Sequence, residues 1–328
     1  MKGVNSMRIA IDLGYSHVKG VSENHRVLIP SVVSPARELL LADLGEKVGH
    51  RVEIRRVNGN TEAYFVGHLA LREGLAPSLS LDRERWTQPH HDVLVLATAR
   101  LLDAMPGTDL VVGLPPGYYG ELKDALARHL MALHGEVAVD GGEPKRVSFG
   151  RVLVYPQGAG ALLTVTDLPA RGLVALVDVG YKTTDLVGGE IAGGRWRVIS
   201  SLCGTVEVGV HAVHEFLAQE IRRVSGAQLD ETRLAELMEE GGFCFRGREY
   251  DVRPLLARAR ANVAQAIADR VLARLGERGD FVRRIYLAGG GAAALPELAE
   301  MLPVCQPIPE AQWANALGYL MAGRRLQN

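Results

Sequence analysis

Apolar and polar positions follow two rhythms along this chain, and their order predicts its elements. Residues 8–13 form a short apolar run stopped by Gly14, the pattern of a buried strand. Residues 17–21 and 26–29 read as the next strands of a meander. Residues 52–57 and 61–66 flank Asn58-Gly59-Asn60, a hairpin signal because Asn and Gly tolerate the positive φ of tight turns. Val93, Leu94, Leu96, Ala97, Leu101 and Leu102 recur at helical spacing and predict a helix over 92–105. A strand over 110–114 ends at Pro115-Pro116, and a helix over 121–133 is closed by Gly135.

The second half repeats that plan. An apolar strand over 173–179 ends at Gly180, and 184–187 and 196–200 continue it as a meander. Helical patterns cover 206–223, 231–239 and 254–275. A strand over 284–288 runs into a glycine triplet, and a last helix spans about 310–325. Asp12-Leu13-Gly14 and Asp178-Val179-Gly180 each end an apolar strand and open a tight turn, half a chain length apart. Such spacing is the mark of a duplicated α/β unit. No Pro/Ser-rich linker separates the halves, so they read as packed domains rather than tethered ones.

Composition narrows the possibilities. The 328 residues are 47% hydrophobic and 23% charged, ordinary for a globular chain of about two domains. Lys plus Arg number 37 against 38 Asp plus Glu, for a net charge of -1. That balance argues against direct, electrostatically driven nucleic-acid binding. The three cysteines are isolated, with no Cys-x-x-Cys pair, so a reducing cytoplasm is the expected setting. Residues 1–6 are polar and read as leading into a strand rather than as a signal peptide. No apolar run is long enough to span a bilayer, and no membrane partner is expected.

The two turns carry the candidate chemistry. Asp12, Gly14, Ser16 and Lys19 combine a strand-end carboxylate, a glycine turn, a hydroxyl and an ammonium. Backbone N–H groups of a tight turn bind anions, a carboxylate holds Mg²⁺ through water, and lysine is a point charge for phosphate. Asp178, Gly180, Lys182 and Thr183 repeat the logic with more hydroxyls. Gly289-Gly290-Gly291, between a strand and a helix, allow a flat ligand to approach the backbone. Neither a dinucleotide G-x-G-x-x-G nor a Walker A motif is present.

Further segments complete a pattern: Ile29-Pro30-Ser31-Val32-Val33-Ser34-Pro35-Ala36, Tyr64-Phe65-Val66-Gly67-His68-Leu69-Ala70, and Val112-Gly113-Leu114-Pro115. Most specific are Pro156-Gln157-Gly158-Ala159-Gly160-Ala161 and Trp313-Ala314-Asn315-Ala316-Leu317-Gly318-Tyr319. Over nearly its whole length the chain resembles the actin, sugar-kinase and heat-shock-protein ATPase superfamily, and within it the bacterial and archaeal actin-like proteins of the ParM/StbA kind. The resemblance implies an α/β fold of duplicated, ribonuclease H-like domains with a nucleotide cleft between them. Domain I would span 1–155 with the helix of 311–328 returning to it, and domain II 156–310.

Site roles follow from the resemblance. Asp12 and Asp178 would face a Mg²⁺ nucleotide, ATP or GTP, from opposite domains. Gly14, Tyr15, Ser16 and Lys19 would line the β-phosphate, and Gly180, Lys182 and Thr183 the γ-phosphate. Gln157 would orient the attacking water, against the alternative of a solvated loop glutamine. Gly204 and Glu207 would hold ribose or base, although Glu207 also reads as a first-turn helix acid. Gly289, Gly290 and Gly291 would back the adenosine. Tyr15 and Tyr181 depart from the small residues of many relatives.

The implied function is a cytoplasmic ATPase that polymerises into nucleotide-dependent filaments. Its partner would be itself, with a centromere-binding adaptor and DNA reached indirectly in plasmid segregation. A small-molecule kinase and a non-polymerising, membrane-associated scaffold are the alternatives, and the sequence shows no sugar-kinase signature. His90-His91 reads as an exposed loop. His211 and His214 lie one turn apart with no carboxylate partner evident in sequence. Cys203 and Cys244 read as buried small hydrophobes.

Overall fold

The computed structural model describes residues 7–40, 48–56, 59–75, 77–82 and 84–325. Residues 1–6, Val57, Asn58 and 326–328, which fall within the readings above, lie outside these. The chain divides into two compact units. The first comprises Met1–Thr164 and Asn315–Asn328, the second Val165–Ala314.

In the first unit the strands are β1 (Arg8–Leu13), β2 (His17–Val21), β3 (Arg26–Pro30), β4 (Val33–Pro35), β5 (His50–Arg55) and β6 (Thr61–Val66). Helices α1 (His68–Glu73) and α2 (Pro89–Leu101), strand β7 (Thr108–Leu114) and helix α3 (Pro116–Ala132) come next. Strands β8 (His134–Val139) and β9 (Lys145–Pro156) lead to the short α4 (Ala159–Leu162). One sheet has the order β3-β2-β1-β7-β9-β8-β5-β6-β4. β1 and β9 flank β7 in parallel, and β1–β2–β3 form the antiparallel meander that the apolar runs predict. Ile9 and Ile11 of β1, Val112 of β7 and Leu96 of α2 are fully buried in one core. Each buried side chain of this size contributes about 1.5–3 kcal/mol.

In the second unit β10 (Gly172–Val179) and β11 (Thr184–Ala192) pair antiparallel, followed by β12 (Arg195–Val198) and β13 (Gly204–Val206). Helices α5 (His211–Ser225) and α6 (Glu231–Glu240) precede a hairpin of β14 (Gly242–Phe245) and β15 (Arg248–Asp251). Then come α7 (Arg253–Leu275), β16 (Val282–Ala288), α8 (Gly291–Ala294), α9 (Leu298–Met301) and β17 (Cys305–Pro307). The sheet order is β12-β11-β10-β16-β17, with β13 against β11. β10 is parallel to β16, as β1 is to β7.

Several boundaries differ from the periodicity. The helix read at 121–133 begins at Pro116, because proline is suited to the first helical position. Gly135 does not close it. It lies in β8, where an added Cβ would meet Ile54 at 3.2 Å. The helix read from 206 begins at His211, since residues 204–206 pair with Thr184–Leu186 as a strand. His90 and His91 are not in an exposed loop but in the first turn of α2, and His91 is buried. Cys244 is exposed in β14, where its side chain takes the outer face of the hairpin. The hairpin at residues 59–60 is present: β5 pairs β6, and Arg56 N–H donates to the Asn60 carbonyl.

The final helix, α10 (Ala314–Arg325), packs within the first unit. Asn315 Oδ1 accepts from the N–H groups of Gly158 and Ala161, at 3.0 and 3.3 Å. Those are the orphan donors at the start of α4. Gly318 lies directly on the Gly160 backbone, and Tyr319 fills the space beside Gly113 and Gly160. Gly318→Ala should therefore destabilise the first unit by about 1–3 kcal/mol through overpacking, read as a lower denaturant midpoint. An unchanged midpoint would show that the helix has room to move.

Candidate functional site

Both turns stand at the carboxyl end of a central strand, where the sheet hands the chain to a meander. Asp12 closes β1 and is 4% exposed; Asp178 sits near the end of β10 and is 6% exposed. A Cβ at Gly14 would meet the His17 carbonyl at 2.6 Å, and one at Gly180 would meet the Thr183 carbonyl at 2.9 Å. In each case the clash is with the carbonyl three residues on, so both glycines serve the same tight turn. The registers also match: Asp12 pairs with Lys19 and Asp178 with Asp185.

In the first unit Lys19 Nζ lies 3.3 Å from Asp12 Oδ2, and Gln157 Nε2 is 3.4 Å from Asp12 Oδ1. The structure thus gathers Asp12, Gly14, Lys19 and Gln157. The Ser16 carbonyl accepts from the Ser31 N–H at 2.8 Å, and Ser31 Oγ donates to the Gly14 carbonyl at 2.7 Å. Ser16 Oγ contacts His17 Nδ1 at 3.1 Å. Burial, with the nearby Lys19 charge, pushes His17 down to about 4, so it is neutral. The Tyr15 side chain is buried and leaves the turn only its backbone.

Arg85 was not singled out by sequence. It precedes α2 in a short 3₁₀ turn. Its guanidinium donates to the carbonyls of Leu13 and Gly14 and lies 4.1 Å over the Tyr15 ring. A planar fork suits two adjacent acceptors, which a lysine would not satisfy together. The large Tyr15 is explained by this stacking.

In the second unit the Gly180 N–H donates to the Thr183 carbonyl at 2.8 Å, and Thr184 Oγ1 to the Val208 carbonyl at 2.8 Å. Asp185 Oδ1 accepts from Thr205 Oγ1 at 2.6 Å. Lys182 and Glu207 form an ion pair at 3.7 Å. Glu207 lies in the loop before α5, not in its first turn. Gly204 lies in β13, where an added Cβ would meet the Arg274 guanidinium at 3.0 Å. Gly289, at φ 86°, abuts Asp178 and Val179, and Gly291 abuts Val179. Two of the three glycines are therefore required by packing. At Gly290 an added Cβ would meet only the Gln312 side chain, at an ordinary contact distance of 3.8 Å.

Tyr181 reveals a network. Its hydroxyl donates to Glu231 Oε2 and lies 3.0 Å from His214 Nδ1 and 3.3 Å from His211 Nδ1. His214 Nδ1 is 2.8 Å from Glu231 Oε2, and His211 Nδ1 is 3.4 Å from Glu231 Oε1. The histidine pair therefore has its carboxylate partner, delivered by α6 from a position sequence spacing does not reveal. The bond to Glu231 raises His211, against the opposing effect of burial. Burial pushes Glu231 up, but bonds from His211, His214 and Tyr181 outweigh it and hold the carboxyl well below the usual range.

Residues 10–160 match the family of actin-like protein N-terminal domains, and residues 176–300 match the C-terminal domain of archaeal MreB-like actin homologues. The chain is thus an actin-like protein. A pCBH ParM, solved as a non-polymerisable quadruple mutant, is 28% identical with a TM-score of 0.88, over 98% of this chain and 100% of that one. A ParM from Clostridium botulinum, solved as a 15-stranded filament, is 27% identical with a TM-score of 0.90 and the same coverage. An archaeal actin homologue solved in complex with ADP shares the fold at 20% identity, with a TM-score of 0.80 over 97% of this chain and 99% of that one. Among curated proteins no sequence matches the chain. No helix among the described residues is long and apolar enough to cross a membrane.

The Glu231 network fixes a pH dependence. A depressed carboxyl contributes stability above its unfolded pKa, lost as pH falls through the folded value. A raised histidine contributes below its unfolded pKa, lost as pH rises through the folded value. The network therefore stabilises between these limits. As pH rises through and above the ordinary histidine range, the second unit should therefore lose stability, by an amount limited by solvent screening. Denaturation midpoints across pH should show this slope in the native chain and a flatter one in Glu231→Gln. Equal slopes would exclude the network as their source.

Proposed function

We propose that this actin-like protein is a Mg²⁺-dependent nucleoside triphosphatase that assembles into filaments under nucleotide control. The observation carrying this reading is the repeated strand–Asp-x-Gly–strand element, with the same glycine constraint and the same register in each unit. In this reading a single nucleotide is contacted by both turns, Gly14, Ser16 and Lys19 serving one side of the phosphates and Gly180, Lys182 and Thr183 the other. The donor set fits magnesium, a hard cation that takes oxygen ligands and retains water. Asp178 and Asp12 would hold it through water, and its charge would neutralise phosphate oxygens.

Gln157 has its amide beside Asp12, and a neutral amide can orient a water without exchanging a proton. Phosphoryl transfer needs mainly positioning and charge stabilisation, which these groups supply. Filament formation is supported by the likeness to a ParM solved as a filament. Nucleotide touched by two turns at once favours the state in which both engage it, and a ligand shifts an equilibrium only by such differential affinity. A head-to-tail contact that does not close into a ring then gives an open polymer. A role in plasmid segregation, through a DNA-binding adaptor, extends the same likeness and agrees with the near-neutral charge.

Asp12→Ala and Asp178→Ala should each lower Mg-ATP hydrolysis at least roughly 100-fold, by loss of a positioned charge. Wild-type turnover in both would remove these turns from the site. Gln157→Ala should lower kcat by roughly 10- to 1,000-fold with little change in nucleotide affinity. Light scattering should rise on adding Mg-ATP, decay as ATP is consumed, and persist longer in Gln157→Ala. A chain that hydrolyses ATP yet sediments as a monomer at tens of micromolar would defeat the filament reading.

A further inference from the structure

His91, Asp92 and His129 place one donor atom each within 4.8 Å of the others, two ring nitrogens and a carboxylate oxygen. His91 and Asp92 stand in the first turn of α2 and His129 in the last turn of α3. His129 Nε2 lies 2.6 Å from Asp92 Oδ1. His91 is 4% exposed, and its Nδ1 is buried with no hydrogen-bond partner. A buried polar atom without a partner is rare in folded proteins and calls for an explanation. From this geometry we infer that the three residues form a binding site for a zinc-type divalent transition metal.

The chemistry of the donors selects the ion. Two imidazoles and one carboxylate suit zinc or a similar metal, whereas magnesium demands oxygen ligands in octahedral array. Metal-binding histidine must be neutral. The ion would enter between His129 and Asp92. Tetrahedral bonds of about 2.0–2.2 Å set ligand atoms roughly 3.4 Å apart, so the pair would open by less than an ångström. Asp92 and His129 are half-buried, which leaves a fourth position for water on the outer side. Trp86, edge-on to His129 with centroids 5.6 Å apart, closes another side.

Two helix ends and one charge act on the ion besides the ligands. The carboxyl end of α3 favours a cation near His129, and the amino end of α2, which carries His91 and Asp92, opposes it. Arg85 opposes it, but its guanidinium is turned to the carbonyls of Leu13 and Gly14 and to Tyr15. The bound metal would tie the start of α2 to the end of α3. That anchors the segment carrying Arg85, the support of the first turn. The site itself does not depend on the nucleotide reading.

The test uses the full chain, stripped with a chelator and desalted. Calorimetric titration with zinc chloride should give one equivalent at micromolar affinity or tighter, and magnesium chloride should give none at this site. The melting temperature should rise by several degrees with zinc. His129→Gln and Asp92→Asn, each verified as folded by circular dichroism, should weaken zinc binding at least tenfold and abolish the rise in melting temperature. Absence of stoichiometric zinc binding in the native chain would overturn the inference. So would wild-type affinity in either folded variant, because the ion would then be held by other histidines.

Discussion

The structure depends on a constraint repeated twice: a carboxylate at the end of a buried central strand, followed by a turn with no room for a Cβ. β1 and β10 are covered on both faces, so their backbones must pair completely and their side chains must be apolar. The carboxylate can survive only where the strand runs out. There, Asp12 is compensated by Lys19 and Gln157, and the glycine lets the chain reverse at once into the next strand. A burial cost of this kind is tolerated when the charge is paired or used. The repetition of the device in both units fits selection for use.

The supports around each turn differ, although the turns themselves match. The first is propped from outside the meander: Ser31 reaches the Gly14 carbonyl, and Arg85 reaches the same carbonyl from 71 residues further along. The second is propped by the segment that leads into α5, since Val210 and His211 donate to the carbonyls of Gly180 and Tyr181. The Tyr181 phenol reaches back to α5 and α6. Tyr15 and Tyr181 each let an aromatic ring brace the turn, but each finds a different partner. One stacks under a guanidinium and the other donates to a carboxylate.

Range decides how much of this was legible in sequence. The strands read at 8–13, 173–179 and 284–288 announce themselves because the buried stretch of a central strand is mostly apolar, a local property. Asp12, Gly14, Asp178 and Gly180 were legible for the same reason, as the signal sits in three adjacent residues. Helix starts were less so, because Pro116 breaks an apolar rhythm while it favours the helix it begins. The strands β14 and β15 were missed, being four residues each, and β8 and β9 because His134, Glu136, Arg146 and Arg151 interrupt their apolar positions. Glu231 was not legible as the partner of His211 and His214, since most of α5 and a loop separate them in the chain. Arg85 and the burial of His91 were not legible either, because both depend on how α2 packs rather than on its own pattern.

The two repeats are unequal in charge, and the inequality bears on any divalent cation they meet. The residue facing the strand-end carboxylate is Lys19 in the first unit and Asp185 in the second. Residues directly opposite in an antiparallel pair share a face. The first turn therefore sets an ammonium beside its carboxylate, at 3.3 Å, and the Arg85 guanidinium on the Leu13 and Gly14 carbonyls adds a second positive charge. The second sets a carboxylate in that place, with Thr205 Oγ1 donating to Asp185. Coulombic interactions fall only slowly with distance in a buried environment. A hydrated dication thus gains more at the second turn, while phosphate oxygens gain more at the first. The duplicated motif therefore differs in charge between the two units, the first turn favouring an anion and the second a cation.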